Sequence, residues 1–317
     1  MKGVFLDADS MGLHDLNLTP LHNVLDHWDF YGESDESQIP GRIADAALVL
    51  VNKVRLSADT LARAKQLKLI CISATGTDNV DLVAAARLGI TVTNVRGYAT
   101  AAVIQHVYSL LFALSGNLIA YDQAVRAGTW AKSSHFALLD YPIVELAGKV
   151  MGIVGYGELG QAVATRAKAF GMAVQVAVRP GSGETEGRVS LDELLSVVDV
   201  LTLHCPLTPE TRGLIDATAL KKMKKSAILI NTARGGIVDE LALADALRNG
   251  ELGGAGVDVL SEEPPTMGNP LLASDVPNII VTPHIAWAAQ ASRQRLVNEV
   301  ADNISYFCAG KPRNIVT

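Results

Sequence analysis

The chain has 317 residues, 49% of them hydrophobic and 19% charged, with a formal net charge of -6. That length suits two ordinary domains with ample core, and the composition excludes a disordered or fibrous protein. Net acidity without a broad basic face excludes a nucleic-acid surface, with Lys221-Lys222-Met223-Lys224-Lys225 read as a solvated helix end, and no run reaches the roughly 18–20 apolar residues of a membrane helix.

Short apolar runs alternate with helical patterns, which predicts a parallel-sheet α/β protein. The first strands are expected at residues 3–6, 28–31, 47–51, 69–73 and 90–94, with helices at 57–66 and 80–88 between them. Gly89 closes the second helix as a C-terminal glycine does. This is a five-strand doubly wound unit. Residues 100–128 are apolar and read as one long helix that leaves the first unit and packs on the second. A second series of strands follows at 150–154, 174–178, 199–204, 227–231, 254–259 and 279–282. Residues 288–309 form a last amphipathic helix with no strand of its own, which is placed back on the first unit. The expected domains are therefore 1–98 with 286–317, and 99–285. Both are Rossmann-like parallel-sheet units, the first flavodoxin-like, with a cleft between. Cys71, Cys205 and Cys308 are widely spaced and form no CxxC pair. They read as buried thiols of a cytoplasmic chain rather than as disulfides or a metal site.

The turn Gly155-Tyr156-Gly157-Glu158-Leu159-Gly160 follows an apolar strand and opens a helix at 159–170. Glycines there let the backbone turn sharply and approach a pyrophosphate at the helix N-terminus. An NAD site usually carries an acid about 20 residues on. This chain instead has Val178-Arg179-Pro180-Gly181-Ser182. A guanidinium can pair with a 2′-phosphate, so Arg179 favours acceptance of NADP beside NAD, while Glu184 and Glu186 nearby weaken that reading.

Three further residues stand after strands of the second series. They are Arg234 in Asn231-Thr232-Ala233-Arg234-Gly235-Gly236, Glu263 in Glu262-Glu263-Pro264-Pro265, and His284 in Thr282-Pro283-His284. A fixed cation, a carboxylate and an imidazole beside a nucleotide site are what reduction of an α-keto acid requires. The cation holds the substrate carboxylate, the imidazole protonates the developing alkoxide, and the carboxylate holds the imidazole in its charged form.

The chain resembles the D-isomer-specific 2-hydroxyacid dehydrogenase family, over nearly its whole length. The marks are Ala74-Thr75-Gly76-Thr77-Asp78-Asn79-Val80-Asp81, the Gly-rich turn, His204-Cys205-Pro206-Leu207-Thr208 with Thr211, the Arg234 segment, Asp258-Val259 with Glu263-Pro264, and Pro283-His284. Leu138-Leu139-Asp140-Tyr141-Pro142-Ile143 and the Gly-rich turn resemble its hydroxypyruvate reductase, or glycerate dehydrogenase, branch. The resemblance implies Arg234, Glu263 and His284 as catalytic residues, with the acid immediately before the proline, Glu263, chosen over Glu262. It implies backbone amides of Thr75 and Gly76 on the substrate carboxylate. It assigns Asp258 to the nicotinamide carboxamide and Val103 to the nicotinamide face. Cys205 and Pro206 line the adenosine side, and His204, Thr211, Thr232 and Ala233 belong to the same cofactor loops as Gly155, Gly157, Glu158, Leu159 and Gly160. A homodimer through the long helix is implied as well.

Other residues take plainer readings. His106 and His204 are read as packing or orienting groups, and His14, His22, His27 and His135 carry no supporting pattern. Ser134, Trp130 and Trp287 are candidate pocket borders, with core or interface packing an equal reading for the tryptophans. Ile104 is bulky where the family commonly has a small residue. No long extension follows Lys311-Pro312-Arg313-Asn314, and no basic cluster near Thr75-Gly76 suits a substrate phosphate. Both favour a small unphosphorylated keto acid, hydroxypyruvate or glyoxylate. The alternatives are another D-2-hydroxyacid dehydrogenase, acting on D-lactate or phosphoglycerate, and a nucleotide-sensing corepressor on the same scaffold.

Overall fold

The computed structural model describes residues 1–179, 181–183 and 185–317. Pro180 and Glu184, which entered the Arg179 reading, lie outside the described residues. Two strands show why the sheets are parallel and covered on both faces. Leu48–Val51 and Leu69–Ile72 are apolar and buried at every position, the pattern of a strand with helices above and below. They are β3 and β4 of a five-stranded sheet that also holds β1 (Lys2–Phe5), β2 (His27–Phe30) and β5 (Thr91–Thr93), in the order β2-β1-β3-β4-β5. The polar β2 lies at an edge, where one side of the ladder stays open.

The second sheet holds β6 (Val150–Val154), β7 (Ala173–Val176), β8 (Val200–Leu203), β9 (Ile228–Asn231), β10 (Gly254–Val257) and β11 (Ile279–Val281), in the order β11-β10-β9-β8-β6-β7. All named pairs in both sheets are parallel. An isolated parallel bridge, Ala177 to Val189, extends the edge beyond β7. The strands expected from the sequence fall within two residues of those observed. Strand order reverses between β6 and β8, so a crevice opens beyond the end of β6, where such sheets bind their ligands.

The chain divides into two units, Met1–Ala101 with Trp287–Thr317, and Ala102–Ala286. The last helix, Gln290–Cys308, belongs to the first unit and packs Leu296, Val297, Val300 and Ile304 with Phe5, Leu48, Leu50 and Leu69. Its Ser292 hydroxyl donates to the Tyr98 carbonyl at 3.1 Å.

The single helix expected over 100–128 is corrected to two, Thr100–Ser115 and Leu118–Arg126, bent by 57°. Gly116 and Asn117 make the break. Asn117 sits at φ 49°, in the left-handed region that Asn tolerates and a helix cannot continue through. No single helix among the described residues is long and apolar enough to cross a membrane.

The first of these helices lies directly on β10. An added Cβ at Gly256 would meet Leu110 Cβ at 2.9 Å, and one at Gly254 would meet Leu114 Cδ2 at 3.4 Å. Glycine at both positions lets the helix backbone come down onto the strand.

Candidate active site

The three strands that end nearest the proposed chemistry, β9, β10 and β11, are neighbours. Because they are parallel, Arg234, Glu263 and His284 all follow the same edge of the sheet. The loop after β9 is shaped by buried Asn231, whose side chain accepts from Ala233 N at 3.1 Å and donates to the Arg234 carbonyl at 2.9 Å. Gly235 then allows the closest approach in the site. A Cβ there would stand 2.0 Å from Leu260 C and 2.3 Å from Ser261 N. These are backbone atoms that cannot rotate away, so glycine is what brings the Arg234 loop against the loop carrying Glu263.

The Glu263 carboxylate is held on both oxygens. Oε1 accepts from Leu260 N at 2.8 Å, and Oε2 meets His284 Nδ1 at 2.6 Å. Adjacent Glu262 instead accepts from the Thr266 hydroxyl at 2.9 Å. Glu240, which carried no reading in the sequence, braces the same loop. It accepts from Ser261 N and Oγ, each at 2.6 Å, and from Asn269 Nδ2 at 2.7 Å.

His284 has φ 54°, a left-handed conformation that is uncommon for a residue with a Cβ. Its amide donates to the Asp258 carbonyl at 2.8 Å and the Thr282 carbonyl at 3.0 Å. The structure gives the Asp258 side chain an occupation that the sequence did not indicate. Oδ1 accepts from the Thr282 hydroxyl at 2.6 Å and Ile285 N at 2.9 Å, and Oδ2 from Ala286 N at 2.9 Å. His106 Nε2 stands 2.9 Å from Thr282 Oγ1 and 3.3 Å from Asp258 Oδ1. Burial pushes the Asp258 carboxyl upward, but these donors outweigh it and hold the group below its ordinary value.

The nucleotide end of the sheet fits a dinucleotide. Gly155 has φ 92°, and a Cβ on it would lie 2.5 Å from Cys205 N. A Cβ on Gly160 would lie 2.1 Å from the Gly155 carbonyl oxygen. Gly157 has nothing within 4 Å of its Cβ position and caps the helix Glu158–Ala169. One glycine makes the turn, one leaves room for a phosphate, and one packs helix on strand. Glu158, Leu159 and Gly160 lead the helix, where backbone N–H groups point out of the N-terminus. Two buried polar atoms at the adjacent ends of β8 and β9, His204 Nδ1 and Thr232 Oγ1, have no protein partner. Such atoms call for one from outside the chain.

Burial pushes the His204 imidazole down to about 4, so it is neutral, and its Nε2 lies 2.9 Å from Thr202 Oγ1. Burial likewise raises the Cys205 thiol. Thr211 braces the cofactor loop internally, accepting from Thr208 N and donating to the Pro206 carbonyl, each at 2.7 Å. Arg179 is exposed beyond β7, and it helps hold the Glu210 carboxyl below its ordinary value, after the larger effect of Thr208. Val103 is buried in the helix Thr100–Ser115.

In the first unit, Thr75 anchors its loop to the end of β5, donating from Oγ1 to the Val95 carbonyl at 2.7 Å and accepting at its own carbonyl from Asn94 Nδ2 at 2.7 Å. Trp287 packs against the core of that unit. Trp130 is half exposed and donates to the Phe136 carbonyl at 3.0 Å.

Residues 108–286 match the model of the D-isomer specific 2-hydroxyacid dehydrogenase NAD-binding domain. The chain belongs to this family. It is 47% identical to the glycerate dehydrogenase of Methylorubrum extorquens, covering 99% of this chain and 98% of that protein. It is 38% identical to the hydroxypyruvate reductase of Blautia hydrogenotrophica, over 100% and 99% of the two chains. A crystal structure of a protein from Thermus thermophilus superposes with a TM-score of 0.88, at 36% identity and full coverage of both chains. As a D-2-hydroxyacid dehydrogenase, this chain is an NAD-binding oxidoreductase of small hydroxy and keto acids.

Proposed function

We propose that this dehydrogenase reduces hydroxypyruvate to D-glycerate and glyoxylate to glycolate, with His284 as the proton donor. The hydrogen bond from His284 Nδ1 to Glu263 Oε2, at 2.6 Å, carries the reading. It anchors the ring through Nδ1, and donation to the substrate oxygen is assigned to Nε2. The carboxylate fixes the orientation of the ring that gives the proton. Arg234 holds the substrate carboxylate as a guanidinium fork. A bound nicotinamide supplies the hydride. In the reverse direction His284 takes the proton back from the hydroxyl. The choice of substrate follows the glycerate dehydrogenase and hydroxypyruvate reductase among the relatives.

Arg179 extends the cofactor range to NADP, where it would exchange Glu210 for a 2′-phosphate. A homodimer is part of the proposal. Leu118, Phe136, Leu139 and Ile143 are 57%, 94%, 83% and 64% exposed, an apolar stretch that a monomer leaves in water. Cys71 and Cys205 are buried, while Cys308 is exposed at the end of the last helix, against the expectation of three buried thiols. All three are free thiols, which agrees with a cytoplasmic setting.

Initial rates of NADH and NADPH oxidation with hydroxypyruvate, glyoxylate, pyruvate and phosphohydroxypyruvate test the reading. Hydroxypyruvate should be turned over fastest. His284→Ala and Arg234→Ala should each lower turnover by about a thousandfold or more while cofactor still binds. Near-normal rates in either variant would remove the mechanism. Arg179→Ala should weaken NADPH more than NADH, and an equal loss would remove the phosphate contact.

A further inference from the structure

We propose that His106 is a positioning residue for His284, acting through Thr282 and Asp258. The inference rests on the reading of His284 as the proton donor.

The left-handed backbone at His284 is strained and persists only where its surroundings over-determine it. Here the surroundings are Asp258. Its carbonyl takes the His284 amide, and its carboxylate takes the next two amides, Ile285 and Ala286. The carboxylate thus grips the chain on the far side of His284 while the main chain of the same residue grips His284 itself.

His106 completes that grip. The Thr282 hydroxyl has one hydrogen, and at 2.6 Å from a carboxylate oxygen that hydrogen goes to Asp258. Thr282 Oγ1 is therefore an acceptor toward His106, and His106 Nε2 carries the proton. It donates to Thr282 at 2.9 Å and leans on Asp258 Oδ1 at 3.3 Å. A buried anion with these donors stays ionised and in place; with one removed it is under-satisfied.

The fold sets this pairing by register. Gly254 meets Leu114, Gly256 meets Leu110, and Asp258 meets His106. Two residues of strand advance about 6.6 Å and four of helix about 6.0 Å, so the two elements stay in step as they run antiparallel. The glycines bring the helix close, and the residue one turn beyond Leu110 arrives at the carboxylate.

The test uses the full chain as His106→Leu, His106→Gln and Thr282→Val. Amide hydrogen exchange at Ile285 and Ala286 is followed by NMR, with the amides of β1 in the other unit as reference. Steady-state kcat and KM for hydroxypyruvate are measured alongside. His106→Leu should speed exchange at those two amides about tenfold relative to β1. It should lower kcat about tenfold, with KM within about threefold. His106→Gln, which keeps an N–H donor at similar reach, should restore both. Thr282→Val keeps shape without the hydroxyl and should repeat the Leu result, which covers the case in which His106→Leu does not fold. Unchanged exchange at Ile285 and Ala286, or equal effects of Leu and Gln, would overturn the proposal. A wild-type chain that does not turn over hydroxypyruvate would instead sink the functional reading, and the exchange measurement would still decide whether His106 holds the loop.

Discussion

Each unit contains a buried aspartate just past the end of a parallel strand, and each aspartate grips the loop beyond the neighbouring strand. In the first unit, Asp7 follows β1 and accepts from the amides of Asn52, Lys53 and Val54 at 2.6 to 3.2 Å. In the second, Asp258 follows β10 and accepts from the amides of Ile285 and Ala286. The device is the same: one carboxylate satisfies N–H groups that the end of a strand leaves unpaired. The difference lies in what is held and what helps to hold it. The Asp258 loop contains a left-handed histidine and draws in a hydroxyl and an imidazole as further donors. A bracket made of backbone alone is architecture. Side-chain donors added to one mark a loop whose conformation must be maintained against strain.

The comparison breaks most visibly at the carboxylates themselves. Asn in place of either aspartate turns an amide N–H toward amide donors. Asp258→Asn should lower kcat about a hundredfold, as two or more charge-assisted hydrogen bonds of about 1.5 kcal/mol or more are lost around His284. Asp7→Asn should cost about 2–3 kcal/mol in denaturant unfolding and leave kcat within about threefold. Equal losses of turnover would erase the distinction.

A second test moves from side chains to backbone. Gly235→Ala drives a methyl into Leu260 and should separate Arg234 from Glu263, lowering kcat about tenfold and destabilising the unit by about 1–3 kcal/mol. Gly157→Ala has open space and should leave stability within about 0.5 kcal/mol while raising the cofactor Kd. If both variants behave alike, the two glycines have not been told apart correctly.

A pH test sharpens the contrast between histidines at one sheet edge. Burial lowers His204 from 6.5 to about 4. Between those pH values the unfolded chain binds a proton that the folded chain refuses, so stability falls as pH drops through that window. The full effect is at most about 3 kcal/mol. His204→Gln should therefore lose less stability than wild type between pH 7 and 4.5 in denaturant unfolding. Parallel stability curves would mean that His204 is not held neutral by the fold.

The strands were legible because parallel strands covered on both faces are unbroken apolar runs, and β3 and β4 are read directly from Leu48–Val51 and Leu69–Ile72. The segments of Arg234, Glu263 and His284 stand out in the sequence because each is short and distinctive and follows such a run, and the structure pairs Glu263 with His284. The kink at Asn117 was missed because the apolar pattern continues through Gly116-Asn117 and hides the one residue that must turn left-handed. His106 could not be read as more than packing. Its partners lie 152 and 176 positions downstream, and only the fit of a helix onto two strand glycines brings them together. The signal was present in the spacing of His106, Leu110 and Leu114 against Gly254, Gly256 and Asp258, but it means something only once β10 is known to lie under that helix.

The return of the helix Gln290–Cys308 to the first unit sets an order of synthesis. A ribosome finishes residues 102–286 before it begins that helix. The second unit then has all its strands and can close its core while the chain is still growing. The first unit, although begun earlier, must wait with Phe5, Leu48, Leu50 and Leu69 uncovered until Leu296, Val297, Val300 and Ile304 emerge. The portion of the nascent chain most exposed to aggregation is therefore the one made first, and a pause in translation just before that helix would prolong the exposure.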